Sequence, residues 1–464
     1  MKQKYYIWFV GIVCIGSLLP FLELAFYNHP SADDYICTVP AMKWNPITMT
    51  LGWYYSWSSR YTSAFILSIN PLVYKWLLGY QLNTWLLLFI LGSGFFYWFR
   101  TTSSLSSKYT WVLSLLAVGV YVCSVPSVVE AFYYFGGAIC YQPSNAMLLV
   151  LISWWYYKIP LPNLKSLSLI EFISLACQCF MLFLIAGNNE MAMMFGLAIT
   201  GSLWLYLHVK SRNFHLGMSL LLFTSVVSAG LVVFSPATRF RMQASSSFDR
   251  SFLDVLIKSF FSYFENIAIW FSNPCFLFFL ILMFWLPVSK KVPILDKRYL
   301  ITLSFLSMFL SFFCFVPSYL GEGVVQGRTA NALIFNFLLL FIINVTFWKR
   351  YFLSINFTLS EGLHTFLFMS FLCLTSFSLF LSANFLQAYE DLSTGSAKTF
   401  DKERSERALY VENSLSDSVW VPPLKHKPKT IFFGDIGIYP EPWYDNFYAQ
   451  YHGKKFISLL KNKP

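Results

Sequence analysis

Over its 464 residues the chain is 57% hydrophobic and 20% aromatic, with only 12% charged, about half the charged share of ordinary soluble domains. A water-soluble fold of this size is excluded, because it would need a far larger charged surface. The excess of 33 Lys and Arg over 22 Asp and Glu would suggest nucleic acid on a soluble protein, but on a membrane protein it must first be mapped by side.

Roughly 20 apolar residues cross a bilayer as a helix. That criterion gives eleven candidate spans, at 5–26, 82–99, 110–124, 144–157, 166–186, 188–208, 214–234, 268–287, 299–317, 330–347 and 364–384. The first is long enough to stay as an anchor and no A-x-A-type cleavage site follows it, so it reads as a span and not as a removed signal peptide. Two further apolar stretches are interrupted, 62–79 by Pro71 and Lys75, and 252–267 by Asp254, Lys258 and Glu265. These read as helices lying in the interface. Beyond residue 385 the chain turns polar, with a charged helical stretch near 402–410 and short extended pieces at 419–421 and 431–433 between prolines. The predicted fold class is an all-α polytopic membrane protein: a transmembrane part over 1–384 with a first outer loop at 27–81, then a small α+β domain over 385–464.

The connections carry an orientation signal. With the N-terminus inside, the inner segments hold fourteen basic residues against the two acids Asp296 and Glu361, whereas the outer loops hold eight of each sign. This is the positive-inside pattern, and it predicts an N-in, C-out multi-pass protein. The surplus charge is thereby accounted for without nucleic acid. The nine cysteines follow no metal-ligand or disulfide spacing; most sit in apolar runs as small hydrophobes, and only Cys37 and Cys140 fall in polar loops where a bridge can be drawn.

Chemistry is sought where polar groups collect, since an ionisable group near lipid is costly. The first outer loop opens His29-Pro30-Ser31-Ala32-Asp33-Asp34. Its adjacent carboxylates can cap a helix, since Ser31 to Asp34 has capping-box spacing; they can equally act as a general base or hold a divalent cation, Mg or Mn. Arg60 follows in the same loop; Glu130 and Tyr141 lie in the second; Asn188, Asn189 and Glu190 form a tight turn; Arg239 and Arg241 follow Ser235-Pro236; Glu322 and Arg328 occupy a Gly-rich loop. Singly these are capping or snorkelling groups. Together they describe a face able to hold an anionic phosphate by arginine forks beside a sugar stacked on aromatics.

A long first helix, a large first outer loop with Asp33-Asp34 near its start, about eleven spans and a C-terminal outer domain together resemble the GT-C superfamily of membrane glycosyltransferases. A bacterial branch of polytopic proteins is similar in more detail, through a D-D-[YF] stretch, a Gly-then-Glu site like Gly187 to Glu190, a Ser-Pro-x-x-Arg segment like Ser235 to Arg239, and a tail with Asp435, Trp443, Asn446 and Tyr451. The resemblance implies a bacterial inner-membrane transferase moving a sugar from a polyprenyl-phosphate donor to a glycan or lipid acceptor. Asp33 or Asp34 would be the base or metal ligand. Arg239, Arg241 and Arg328 would bind the donor phosphate, and Arg60, Tyr141, Glu190 and Glu322 the substrate. No D-x-D or histidine cluster supplies a metal site of its own, so metal dependence stays open. The competing readings are a transporter or flippase of a polar lipid, against which the scarcity of mid-span acids weighs, and a polymerase or ligase of lipid-linked glycans, which shares the donor but not the first-loop acid pair.

Overall fold

The computed structural model describes residues 2–157, 168–211, 215–244, 251–321, 323–355, 360–437 and 444–460. A first long helix, α1 (Lys2–Leu24), leads into a loop that folds as three short helices, α2 (Asp33–Ala41), α3 (Pro46–Ser56) and α4 (Tyr61–Ser68). Asn45 starts α3 by accepting from the Thr48 amide at 2.9 Å, with Pro46 at the first helical position where its missing N–H is harmless. The predicted interfacial stretch at 62–79 is therefore α4, a 3₁₀ turn at Pro71–Tyr74 capped by Asn70, and the start of α5 (Leu77–Thr102).

Next come α6 (Ser107–Ser124), α7 (Phe135–Tyr157), α8 (Leu169–Ala186), α9 (Glu190–Ser211), α10 (Leu216–Val233) and α11 (Pro236–Ala244). Helix α8 opens on a capping box between Ser168 and Glu171, which satisfies two of its orphan donors reciprocally. After these follow α12 (Phe252–Ser272), α13 (Pro274–Trp285), α14 (Lys297–Phe313), α15 (Val316–Gly321), α16 (Gly327–Ser354) and α17 (Glu361–Ser378). The polar C-terminal part holds α18 (Ala383–Ser393), α19 (Ser396–Asn413), α20 (Tyr444–Tyr451) and two strands, β1 (Ser418–Val421) and β2 (Phe456–Leu459). The strands pair in parallel with Val419 opposite Ile457.

Ten helical segments are long and apolar enough to cross a membrane, and α12 with α13 make an eleventh if that pair is one bent span. Ten of the eleven expected spans thus have counterparts, and the eleventh has one only if α12 and α13 count together; there are three differences. First, α12 runs unbroken to Ser272 and then turns by 86° into α13. The break sits at Asn273-Pro274, where proline cannot continue α12 but suits the start of a new helix, and the Asn273 side chain accepts from the Cys275 amide. Second, α7 begins at Phe135 and contains Pro143, so Tyr141 is a buried helical residue and not a loop residue. Cys37 and Cys140 likewise sit in helices, and both are free thiols. Third, the extended piece expected at 431–433 is not a strand; the partner of β1 is β2.

The main core lies between α1, α5, α6, α7, α13 and α16, with Trp98, Tyr121, Phe95 and Phe276 fully buried. Several polar groups inside it are satisfied across helices: Asn331 exchanges bonds with the Ser127 backbone and Asn384 donates to the carbonyls of Val122 and Val125. A second small core joins Val411, Val419, Val421, Ile436, Tyr448 and Ile457 of the C-terminal part to Tyr35 of α2. The C-terminal part is therefore seated on the first loop.

Candidate active site

The two adjacent acids have different surroundings. Asp34 is 2% exposed and both of its oxygens are engaged. Oδ2 accepts from the Ser31 amide at 3.0 Å and the Tyr80 hydroxyl at 2.8 Å, and Oδ1 accepts from the Gly136 amide at 2.9 Å. Burial pushes its carboxyl up to about 7, against the pull of those three hydrogen bonds and with a small upward push from Asp33. Asp34 thus ties the start of α2 to α5 and α7. Asp33 is half-buried and lies beside the Tyr134 side chain and Gly136, so it is the acid that an incoming molecule can reach.

Between Ser31 and Asp33 the backbone is strained. Ala32 has φ 45° and ψ −115°, a conformation that L residues avoid and that costs of order 1–3 kcal/mol. It is held by the bonds that Asp34 makes and by the Tyr35 amide donating to the Ala32 carbonyl at 3.1 Å. Strain maintained by surrounding contacts beside an accessible carboxylate is a feature of functional loops.

A second group of predicted residues assembles on the other side of the first turns of α7. Arg60 donates to both oxygens of Glu190, with Nε at 3.0 and 2.9 Å and a terminal nitrogen 2.7 Å from Oε2. Its guanidinium carbon is 6.0 Å from the centre of the Tyr141 ring. Arg241 lies within electrostatic reach of Glu190, and Arg328 within reach of Tyr141. The backbone makes this possible at Gly187: the Thr62 amide donates to the Gly187 carbonyl at 2.8 Å, and an added Cβ there would overlap the Tyr61 ring. Beside this pair the Asn188 side chain is fully buried, and among the described residues neither of its polar atoms has a hydrogen-bond partner.

The two groups are joined by α7. Gly136 contacts Asp33 and Asp34, and Tyr141 is five residues further on, about 8 Å along the axis. Arg239 does not join them in the same way; it is exposed, two residues from Arg241 on α11. Glu322 and Trp443 lie outside the described residues.

The tail closes the outer side of the acid loop. Arg404 is buried and donates to the Pro30 carbonyl at 2.6 Å and the Tyr35 hydroxyl at 3.3 Å. Arg407 makes a fork with Asp435; burial raises the Asp435 carboxyl, but Arg407 holds it below its usual range on balance. His29 pairs with Asp401 at 2.7 Å and is consumed there, away from any role beside Asp33. Phe433 stacks on Tyr134 with centroids 3.8 Å apart, Asn446 is exposed on α20, and Tyr451 packs edge-on to Tyr35. Asp435 and Tyr451 therefore anchor the tail. The contributions of Arg404 and Tyr134 had no signal in local spacing, because both act through contacts distant in sequence.

Among the described residues no group of three or more His, Cys, Asp or Glu side chains converges as a metal cage. With both Asp34 oxygens engaged, a cation at this place would rest on Asp33 together with oxygens from substrate or water. No protein-family model, curated protein or solved structure matches the chain.

Proposed function

We propose that the chain is a membrane glycosyltransferase of the GT-C type, moving a sugar from a polyprenyl-phosphate donor to a glycan or lipid acceptor at the membrane face that carries Asp33. The observation that supports this reading is the pairing of one accessible carboxylate with a cluster of arginines across the start of α7. Asp33 takes the proton of the acceptor hydroxyl. The acceptor oxygen forms a bond to the anomeric carbon of the sugar, and the bond from that carbon to the phosphate oxygen breaks, its electron pair leaving with the polyprenyl phosphate. Negative charge grows on the phosphate in the transition state, where fixed cations are most effective. Arg241 and Arg328 supply the opposing positive charge, with Arg239 at the entrance, while Glu190 holds Arg60 in place. The buried Asn188 amide is the kind of group that a sugar hydroxyl satisfies. The face is extracytoplasmic in a bacterial inner membrane, since basic residues collect at the other end.

The test uses the full chain in vesicles supplied with labelled polyprenyl-phosphate sugars and total acceptor glycolipid. Lysine at position 241 or 328 keeps the charge but loses the bidentate fork. Arg241→Lys and Arg328→Lys are expected to raise KM for the donor by about tenfold, roughly the 1.4 kcal/mol of one weakened charged contact. Unchanged donor dependence in both contradicts the phosphate-binding role.

One observation favours a second reading, a transporter or flippase of a polar lipid: the α12–α13 pair is broken by 86° at Asn273-Pro274, and discontinuous helices are common in transporters. Movement of the lipid-linked sugar across the vesicle membrane without formation of a new glycosidic bond would select it.

A further inference from the structure

Between α6 and α7 the chain makes a π-helical turn at Val129–Tyr133, a rare backbone form that concentrates at functional sites. Tyr134 follows it, with its amide donating to the Val129 carbonyl at 2.7 Å. The Tyr134 ring is tightly fixed. Phe433 of the tail stacks on it, 3.8 Å away and 5° from parallel, and a Cβ at Gly137 would come within 2.9 Å of the ring. Tyr134 is only 2% exposed, yet its hydroxyl has no hydrogen-bond partner among the described residues. A phenylalanine would stack on Phe433 equally well and leave no polar atom unsatisfied. Packing therefore does not account for the hydroxyl.

What lies beside it is Asp33. A Cβ at Gly136 would be 3.4 Å from the Tyr134 hydroxyl and 3.5 Å from the Asp33 Cβ, so the phenol and the acid converge on the same glycine. Burial, then the charges of Asp33 and Asp34, push the phenol well above its ordinary value. It therefore keeps its proton and meets a carboxylate as a donor. Hydrogen bonds of catalytic groups are often long in an unliganded enzyme and tighten when substrate arrives, and the half-buried Asp33 carboxylate can turn to accept this one. We infer that Tyr134 is the positioning residue of Asp33: its hydroxyl donates to one carboxylate oxygen and leaves the other to take the proton of the acceptor hydroxyl. The inference rests on the sugar-transfer reading given above, and it makes the tail part of the site, because Phe433 fixes the ring.

Tyr134→Phe keeps the ring and the stack and removes only the hydroxyl. In full-length protein in vesicles supplied with labelled polyprenyl-phosphate sugars and total acceptor glycolipid, it is expected to lower kcat about tenfold, the fold-change of one lost hydrogen bond to a charged group. KM for the donor and the thermal midpoint should stay unchanged. Tyr156→Phe makes the same change at another buried hydroxyl without a partner, near the far end of α7, and should equal wild type. A second readout needs no donor: the pH dependence of Asp33 labelling by a water-soluble carbodiimide, which reacts with the protonated carboxyl, followed by peptide mass spectrometry with Asp33→Asn as the blank. A carboxylate that loses a donor holds its proton to higher pH, so the curve of Tyr134→Phe should move to higher pH. The other titratable groups around the pair are Asp34 and Cys37 of α2, Tyr80 of α5 on Asp34, Cys140 of α7 near Cys37, and Arg404, Asp435 and Tyr448 of the tail behind Ala32. All are the same in both proteins, so the difference between the curves reads Tyr134. A curve that does not move, or an unchanged kcat, overturns the role. A chain that transfers no sugar while the curve shifts overturns the transfer reading and upholds the hydrogen bond.

Discussion

At the scale of single residues the decisive distinction is between Asp33 and Asp34. Removing a carboxylate that accepts three buried hydrogen bonds leaves donors unsatisfied, at a cost of about 1–3 kcal/mol. Asp34→Asn is therefore expected to lower the thermal midpoint in detergent, whereas Asp33→Asn, at a half-exposed site, should leave it nearly unchanged. The sign of the pH dependence follows from the upward shift of Asp34 to about 7. A carboxyl raised above its unfolded value near 4 contributes stability that is fully present below that value and is lost as pH rises through about 7. The wild-type midpoint should decline across that window, and Asp34→Asn should flatten the decline; identical pH profiles would contradict the assignment. Local spacing could not separate the two acids. Which of two adjacent side chains faces inward depends on Tyr80 and Gly136, 46 and 102 positions away, and no window around residue 33 contains them.

At the scale of elements, hydropathy reveals where the long apolar helices lie, because lipid demands unbroken apolar stretches. It is less informative about where they start. Helix α7 extends nine residues before the expected boundary at 144 because Pro143 is accommodated within it; the Asn189 side chain donates to the Cys140 carbonyl at 2.8 Å, beside the gap that proline opens, and such neighbouring donors make proline tolerable in a packed membrane helix. The consequence for the site is that Tyr141 is held rigidly opposite Arg60. The turn between α8 and α9 is the other critical element. Gly187→Ala should force the Tyr61 ring aside, with an overpacking cost of about 1–3 kcal/mol and loosening of the Arg60–Glu190 pair. A drop in thermal midpoint together with a raised donor KM is the expected result. A Gly187→Ala protein equal to wild type in both would mean that Tyr61 does not brace the turn.

At the scale of the whole molecule, charge and architecture divide the protein into two ends. One carries the acid loop, the arginine cluster and the C-terminal part; the other carries Arg100, Lys291, Lys349 and Arg350 around the end of α13. If the basic end is cytoplasmic, a cysteine at Leu415, fully exposed on the C-terminal part, should react with an impermeant maleimide on intact cells, and a cysteine at Ile294 only after permeabilisation. The reverse pattern would invert the orientation. Whether Asp33 is the base of a sugar transfer from a polyprenyl-phosphate donor is decided by the initial rate of labelled-sugar transfer to acceptor glycolipid in vesicles containing Asp33→Asn. Losing a general base lowers the rate by about 10²–10⁴-fold, and that loss is predicted here with the thermal midpoint unchanged. Transfer by the folded Asp33→Asn protein at the wild-type rate would contradict the account.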